Sequence, residues 1–132
     1  MTRAIQQSVV LHASPEKLFH TFLDSNMHSA MTGAPAKTST KVGGKWSAWG
    51  GAIHGRNLLI IPGRMIVQAW RSTVFKKSEP DSILVLTFSK AKGGGRIDLV
   101  HVNVPEYDHK GVREGWPTYY WKPWKAYLTC KG

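Results

Sequence analysis

The side chains best able to do chemistry near neutral pH are six histidines, at positions 12, 20, 28, 54, 101 and 109. A zinc or iron site usually takes two ligands from one element, at i, i+2 or i, i+4. No two of the six have that spacing. His12, His20 and His28 recur every eight residues, but across a strand, a helix and the next turn, so they share no face. His101 stands apart because it alternates with Ile97 and Leu99 and must point the way they do. Facing a cavity, it would bind a ligand oxygen or donate a proton. Packed in a core, it would be tied to a backbone group or a Tyr hydroxyl. Asp98, Glu106, Asp108 and Glu114 make no spaced carboxylate pair on one element, and no Ser or Cys has an identifiable base partner. Gly93-Gly94-Gly95, beside Lys92 and Arg96, lies between two strands and not before a helix, as a phosphate loop requires. The sequence carries no catalytic, metal or cofactor signature.

The aromatic residues carry the stronger signal. Residues 115–128, GWPTYYWKPWKAYL, hold six of the fourteen aromatics together with two prolines. At about 100° per residue, Trp116, Tyr120, Trp124, Tyr127 and Leu128 fall within one arc, with Trp121 at its margin and Lys122, Lys125 and Thr118 opposite. That is a core-facing helix. Pro123 lacks a donor and would clash with the carbonyl of Tyr119, so a kink is expected there. Pro117 either starts this helix or bends a longer one beginning near Asp108, and the longer, kinked helix is the reading adopted.

The elements that must position these side chains are legible upstream. Ala4–His12 alternates apolar and polar residues, as a half-buried strand does. Ser14 and Pro15 supply an N-cap and a first helical residue for a helix whose apolar face is Leu18, Phe19, Phe22 and Leu23. A second short helix around Asn26–Thr32 ends at Gly33. Strands follow over Lys45–Trp49, Ile53–Ile61, Arg64–Arg71, Ser82–Lys90 and Arg96–Val104, separated by Gly- and Pro-containing turns and one polar loop. Turns without helical crossovers imply an antiparallel sheet. A meander of about six strands then has the last helix as its only cover, and the sheet must curl around it. The gap between them is the natural place for a cavity. Its candidate walls are Trp46, Trp70, Phe88, His101, Trp116, Tyr120 and Trp124, with His101 and Tyr120 orienting a ligand. The competing reading of the same residues is a filled core.

At 132 residues the chain is read as one domain, residues 1–132, long enough to bury a core without metal or disulfide staples. Cys130 is the single cysteine and reads as an ordinary thiol in a reducing compartment. No signal peptide and no membrane span are evident, so a soluble cytoplasmic protein is expected. Lys and Arg outnumber Asp and Glu by 18 to 8, giving a net charge of +10 that favours acidic partners. The cations are scattered, and the aromatics are sorted away from Lys122 and Lys125. Both facts argue against nucleic acid, whose bases need rings exposed beside charges.

Three segments, GGKWSAWGGAIHGRNLLIIPGRMIVQAWR, LVLTFSKAKGGGRIDLVHVNVPE and GWPTYYWKPWKAYL, resemble in order the C-terminal domain of the heat-shock-protein-90 ATPase activator and its stand-alone homologues. The resemblance runs from about Ser8 to Leu128. It implies the START-like, helix-grip fold of the SRPBCC (birch-pollen-allergen-like) superfamily: an α+β domain whose curved antiparallel sheet wraps a long C-terminal helix, with two short helices after the first strand. It implies less about activity, because one grip serves lipid carriers, receptors, cyclases and co-chaperones. The expectation is non-catalytic binding of a small hydrophobic or amphipathic ligand, with no cofactor. The alternatives are a co-chaperone-like module for a heat-shock-protein-90-type chaperone, or a cyclase or hydratase on the same fold.

Overall fold

The computed structural model describes residues 3–131, and the Cys130 side chain lies outside what it describes. Strand β1 (Ile5–Leu11) leads into helices α1 (Pro15–Leu23) and α2 (Ser25–Thr32). A meander follows: β2 (Lys45–Ala48), β3 (Ile53–Ile61), β4 (Met65–Ser72), β5 (Ser82–Ala91) and β6 (Gly94–Val102). Helix α3 (Glu106–Trp116), a π-helical turn (Pro117–Trp121) and α4 (Lys122–Lys131) complete the fold. The sheet order is β1-β6-β5-β4-β3-β2, with every pairing antiparallel. This is the helix-grip arrangement expected from the resemblance. The meander has five strands, the sixth being β1 added at the far side of β6.

Local chemistry accounts for the boundaries. The Ser14 hydroxyl accepts from the Lys17 amide at 3.1 Å and starts α1. Asp24 does the same for α2 through the Met27 amide at 2.9 Å, and Gly33 ends that helix at φ 79°. Strand β2 stops at Ala48, one residue earlier than expected, because Trp49, Gly50 and Gly51 all take positive φ, at 55°, 66° and 96°. The prolines near the C-terminus produce a π turn in place of a sharp kink. The Lys122 amide reaches back five residues to the Pro117 carbonyl. One extra residue in that turn lets Pro123 follow without colliding with the preceding backbone.

Ile66, Leu84, Leu86, Ile97 and Leu99 alternate along β4, β5 and β6 and form the buried concave face. Trp116, Tyr120 and Trp124 of the C-terminal helical segment pack onto that core. The segment is not the sole cover, however. Helix α1 packs on β5 and β6, burying Leu18, Phe22 and Leu23, and α2 packs on α4. The expected curl around one helix thus becomes a curl around the C-terminal segment together with α1, with α2 bracing the two helices. Among the described residues, no helix is long and apolar enough to cross a membrane.

Gly55 pins the thin end of the sheet. It pairs with Trp46 on one side and Trp70 on the other, and the Trp46 indole lies across it to donate to the Ala69 carbonyl at 3.2 Å. A Cβ at position 55 would overlap that carbonyl oxygen and press on the indole nitrogen. Backbone cannot yield as a flexible side chain can. Gly55→Ala should therefore lower stability by about 1–3 kcal/mol, read as a lower urea midpoint at unchanged m value.

Candidate functional site

The Trp49 turn, the paired ends of β3 and β4, and one face of α3 enclose an open cleft of about 480 Å³. Ala52 and Ile53 come from the β2–β3 turn and the start of β3, and Trp70 and Ser72 from the end of β4. Helix α3 supplies Asp108, Gly111, Val112, Gly115 and Trp116, and the π turn supplies Tyr119 and Tyr120. Two glycines at i and i+4 explain why space exists here. A helix that presents Gly111 and Gly115 towards the sheet has no side chains to fill the gap. Each glycine also weakens a helix interior by about 1 kcal/mol relative to alanine, a cost with no packing return.

The rim is held by a strained residue. Trp49 is a non-glycine residue in the left-handed region, and its ring meets Tyr119 edge-to-face at 5.2 Å. Gly50, next in the chain, fixes the turn through its amide to the Pro35 carbonyl at 3.0 Å. Such backbone persists only where surroundings over-determine it.

Behind the cleft wall, one histidine ties the C-terminal helical segment to the sheet and a second ties it to α1 and α2. The Trp116 indole N–H donates to His101 Nδ1 at 3.2 Å, which assigns the ring proton to Nε2. Nε2–H then donates to the Ser82 hydroxyl at 2.9 Å, and that hydroxyl donates to the Trp70 carbonyl at 2.6 Å. Both ring nitrogens are engaged and the residue is fully buried. The Ser82–His101 pair is therefore a strut. A dyad that activated the serine would need its hydroxyl proton directed at the histidine, and here that proton goes to a carbonyl. Burial, and secondarily the charge on His109, pushes the His101 pKa down to about 3. The second strut runs from the Tyr120 hydroxyl to His28 Nε2 at 2.8 Å, and from His28 Nδ1–H to the Phe22 carbonyl at 2.8 Å. Burial lowers the His28 pKa against the opposing pull of that carbonyl, and it raises that of Tyr120. The Trp49 indole works weakly against the Tyr120 shift, yet its N–H finds no partner of hydrogen-bond geometry.

The structure divides the seven candidate wall residues. Trp70, Trp116 and Tyr120 line the cleft. Trp46 covers Gly55, Phe88 meets Phe19 of α1 edge-to-face at 5.7 Å, and Trp124 stacks between Phe22 and Trp121. His101 lies one layer back, touching Trp70 and Trp116. Trp49, Tyr119, Asp108 and the two glycines border the cleft and were not among the seven. The paired glycines inside an otherwise helical pattern were the available signal for them. Among the described residues, no three His, Cys, Asp or Glu side chains gather as a metal site.

The family model described as "Activator of Hsp90 ATPase homolog 1-like protein" matches residues 12–129. The chain is 29% identical over 116 residues to an activator of 90 kDa heat shock protein ATPase homolog from Dictyostelium discoideum, covering 87% of this chain and 30% of that protein. It is 30% identical over 112 residues to the human activator of 90 kDa heat shock protein ATPase homolog 1, covering 83% of this chain and 32% of that one. The chain thus spans about a third of the length of these curated relatives. The crystal structure of an HSP90 activator from Plasmodium falciparum superposes with a TM-score of 0.87 across 97% of both chains, at 23% identity.

The struts carry a pH signature. A histidine whose folded pKa lies below its unfolded value of about 6.5 favours the native state while neutral, and each proton taken up favours unfolding. This stabilisation is complete above about pH 6.5 and is lost as pH falls towards 3, the value for His101. His28 adds in the same direction. His101→Gln keeps an acceptor for Trp116 and a donor for Ser82 but cannot titrate. It should flatten the dependence of unfolding free energy on pH between about 6 and 4 by about 1.4 kcal/mol per unit, measured by urea denaturation at each pH.

Proposed function

The chain belongs to the activator of Hsp90 ATPase homolog 1-like family, and from that START-like framework and the cleft we propose that it binds a small, predominantly apolar molecule between the sheet and α3. The observation that carries this reading is an aromatic-walled cleft kept open by Gly111 and Gly115. Its volume lies within the range of small-molecule sites, and apolar walls with a few polar groups are their usual lining. A strained Trp49 at the rim supports the reading, because evolution retains such backbone where a site needs it.

Indole N–H signals test it from within. Titration with neutral aromatic compounds should shift Trp49, Trp70 and Trp116 saturably and leave Trp46, Trp121 and Trp124 in place. Gly111→Phe places a ring across the mouth from an exposed helical position, where it removes a helix-weakening glycine. It should abolish the shifts while leaving stability equal or higher by about 0.5 kcal/mol. Shifts that persist in this variant, or that spread evenly over all six indoles, would remove the cleft assignment.

A second reading concerns a protein partner. The family's curated members are named as activators of a 90 kDa heat shock protein ATPase. The net charge of +10 suits an acidic chaperone surface. An apolar edge is also exposed: Leu58, Leu59 and Ile61 lie beyond the point where β2 stops pairing with β3, between Arg56 and Arg64. Association with an Hsp90-type chaperone should then stimulate its ATPase and weaken as ionic strength rises from about 0.05 to 0.3 M. Absence of both stimulation and salt-sensitive association would end this reading.

A further inference from the structure

The charge lining the cleft is opposite in sign to that of the chain. Lys and Arg make up 18 of 132 residues, yet among the described residues no Lys, Arg or His lines the cleft, and the one charged side chain there is Asp108. The Asp108 carboxylate makes no hydrogen bond or ion pair with any described residue, in a protein with a large surplus of cations. It stands in the first turn of α3, and Gly111 and Gly115 follow it at i+3 and i+7, so all three share the face that borders the cleft. Beyond it are five aromatic side chains, Trp49, Trp70, Trp116, Tyr119 and Tyr120.

Resting on the cleft-binding reading, we infer that the ligand is an organic cation, an amine or quaternary ammonium on an apolar body, held by the aromatic walls with its charge set against Asp108. Aromatic faces attract cations through their quadrupole and do so best where water is excluded. A carboxylate at the mouth adds a long-range term of the same sign. Among the described residues the cleft offers an anion no cationic side chain, only neutral donors such as the Trp49 indole N–H. A fatty acid or phosphate ester would bring its charge to Asp108 and find no cationic side chain, so the site selects against the lipids and acids that a basic protein would otherwise attract. Partial burial also raises the Asp108 pKa, a desolvation cost that an incoming cation offsets.

Three probes of matched shape decide the point on the full chain: benzyltrimethylammonium, its neutral carbon isostere neopentylbenzene, and the anion phenylacetate. Each is titrated while the indole N–H signals are followed. Benzyltrimethylammonium should bind at least about tenfold more tightly than neopentylbenzene, with phenylacetate weakest of the three. Asp108→Asn keeps the side-chain shape and should bring the cation to within about threefold of the isostere, without changing the isostere's own affinity. If the isostere matches the cation in the unaltered protein, or if Asp108→Asn leaves the preference intact, the cation assignment is overturned and cleft binding stands. If none of the three moves the Trp49, Trp70 and Trp116 signals, both are overturned. Circular dichroism of Asp108→Asn confirms that any loss reflects charge and not folding.

Discussion

The end of α3 is fixed against the sheet by a fully buried row of hydrogen bonds, from the Trp116 indole through His101 and Ser82 to the Trp70 carbonyl. Its two ends are also two walls of the cleft. Apolar packing alone would allow the helix to slide or rotate by small amounts, because dispersion is weakly directional. A fully satisfied polar row in a low-dielectric interior permits one register, since any slip strands a buried donor. The Tyr120–His28 row does the same for the next turn of helix and fixes it to α1 and α2. The His101 row works only with a neutral imidazole, because Nδ1 must accept from Trp116. Burial favours the neutral form of His28 as well, so the shape of the site and the proton inventory of the core are set by the same groups.

The π turn is the second constraint. Trp116, Tyr120 and Trp124 follow one another every four residues, and in an ideal α-helix each step of four drifts about 40° around the axis. Over two steps the row would turn away from the sheet by about 80°. A wider turn at Pro117–Trp121 absorbs much of that drift and lets all three rings remain buried. The prolines make this geometry natural, because Pro123 has no amide to contribute to a regular ladder. What looks in the sequence like a conflict between helix-forming periodicity and helix-breaking residues is the means of aligning the aromatic row.

Period and punctuation made the strands, the two early helices and their caps legible, since alternation, Ser14, Pro15 and Gly33 act locally. Ile53–Ile61 was readable to the residue. The π turn was not, because its cause is cooperative: two prolines six apart and a row of rings that must face one sheet. The role of α1 as a cover for the concave face, and of α2 as its brace against α4, was hidden for a similar reason. Their apolar faces were visible, but where they dock depends on the curvature of a sheet not yet built. In the site, a search by residue type found the large rings and could not sort them. Trp46 and Trp124 resemble Trp70 and Trp116 in every local respect, and only packing separates wall from core. For His101 the sequence left a cavity role and a core role open, and the two nitrogens with their two partners show the core role. The cleft itself is marked by missing side chains, at Gly111 and Gly115, which a search for chemically active residues passes over.

Net charge is a property of the whole chain, whereas recognition is decided within a Debye length, about 8–10 Å at physiological salt. The cations of this protein lie largely on exposed positions, where they are screened and solvated, and they say which large partners are attracted from a distance. At closer range the sign reverses, because the face of α3 towards the cleft carries Asp108, Gly111 and Gly115 while Lys110, Arg113 and Glu114 project elsewhere and stay exposed. A single helix thereby separates two electrostatic tasks by its period of 3.6 residues. Its outer side belongs to the basic surface, and its inner side presents a carboxylate, two openings and a wall of rings. An acidic macromolecular partner and a small apolar cation would consequently not compete for the same groups, and either could be engaged without displacing the other.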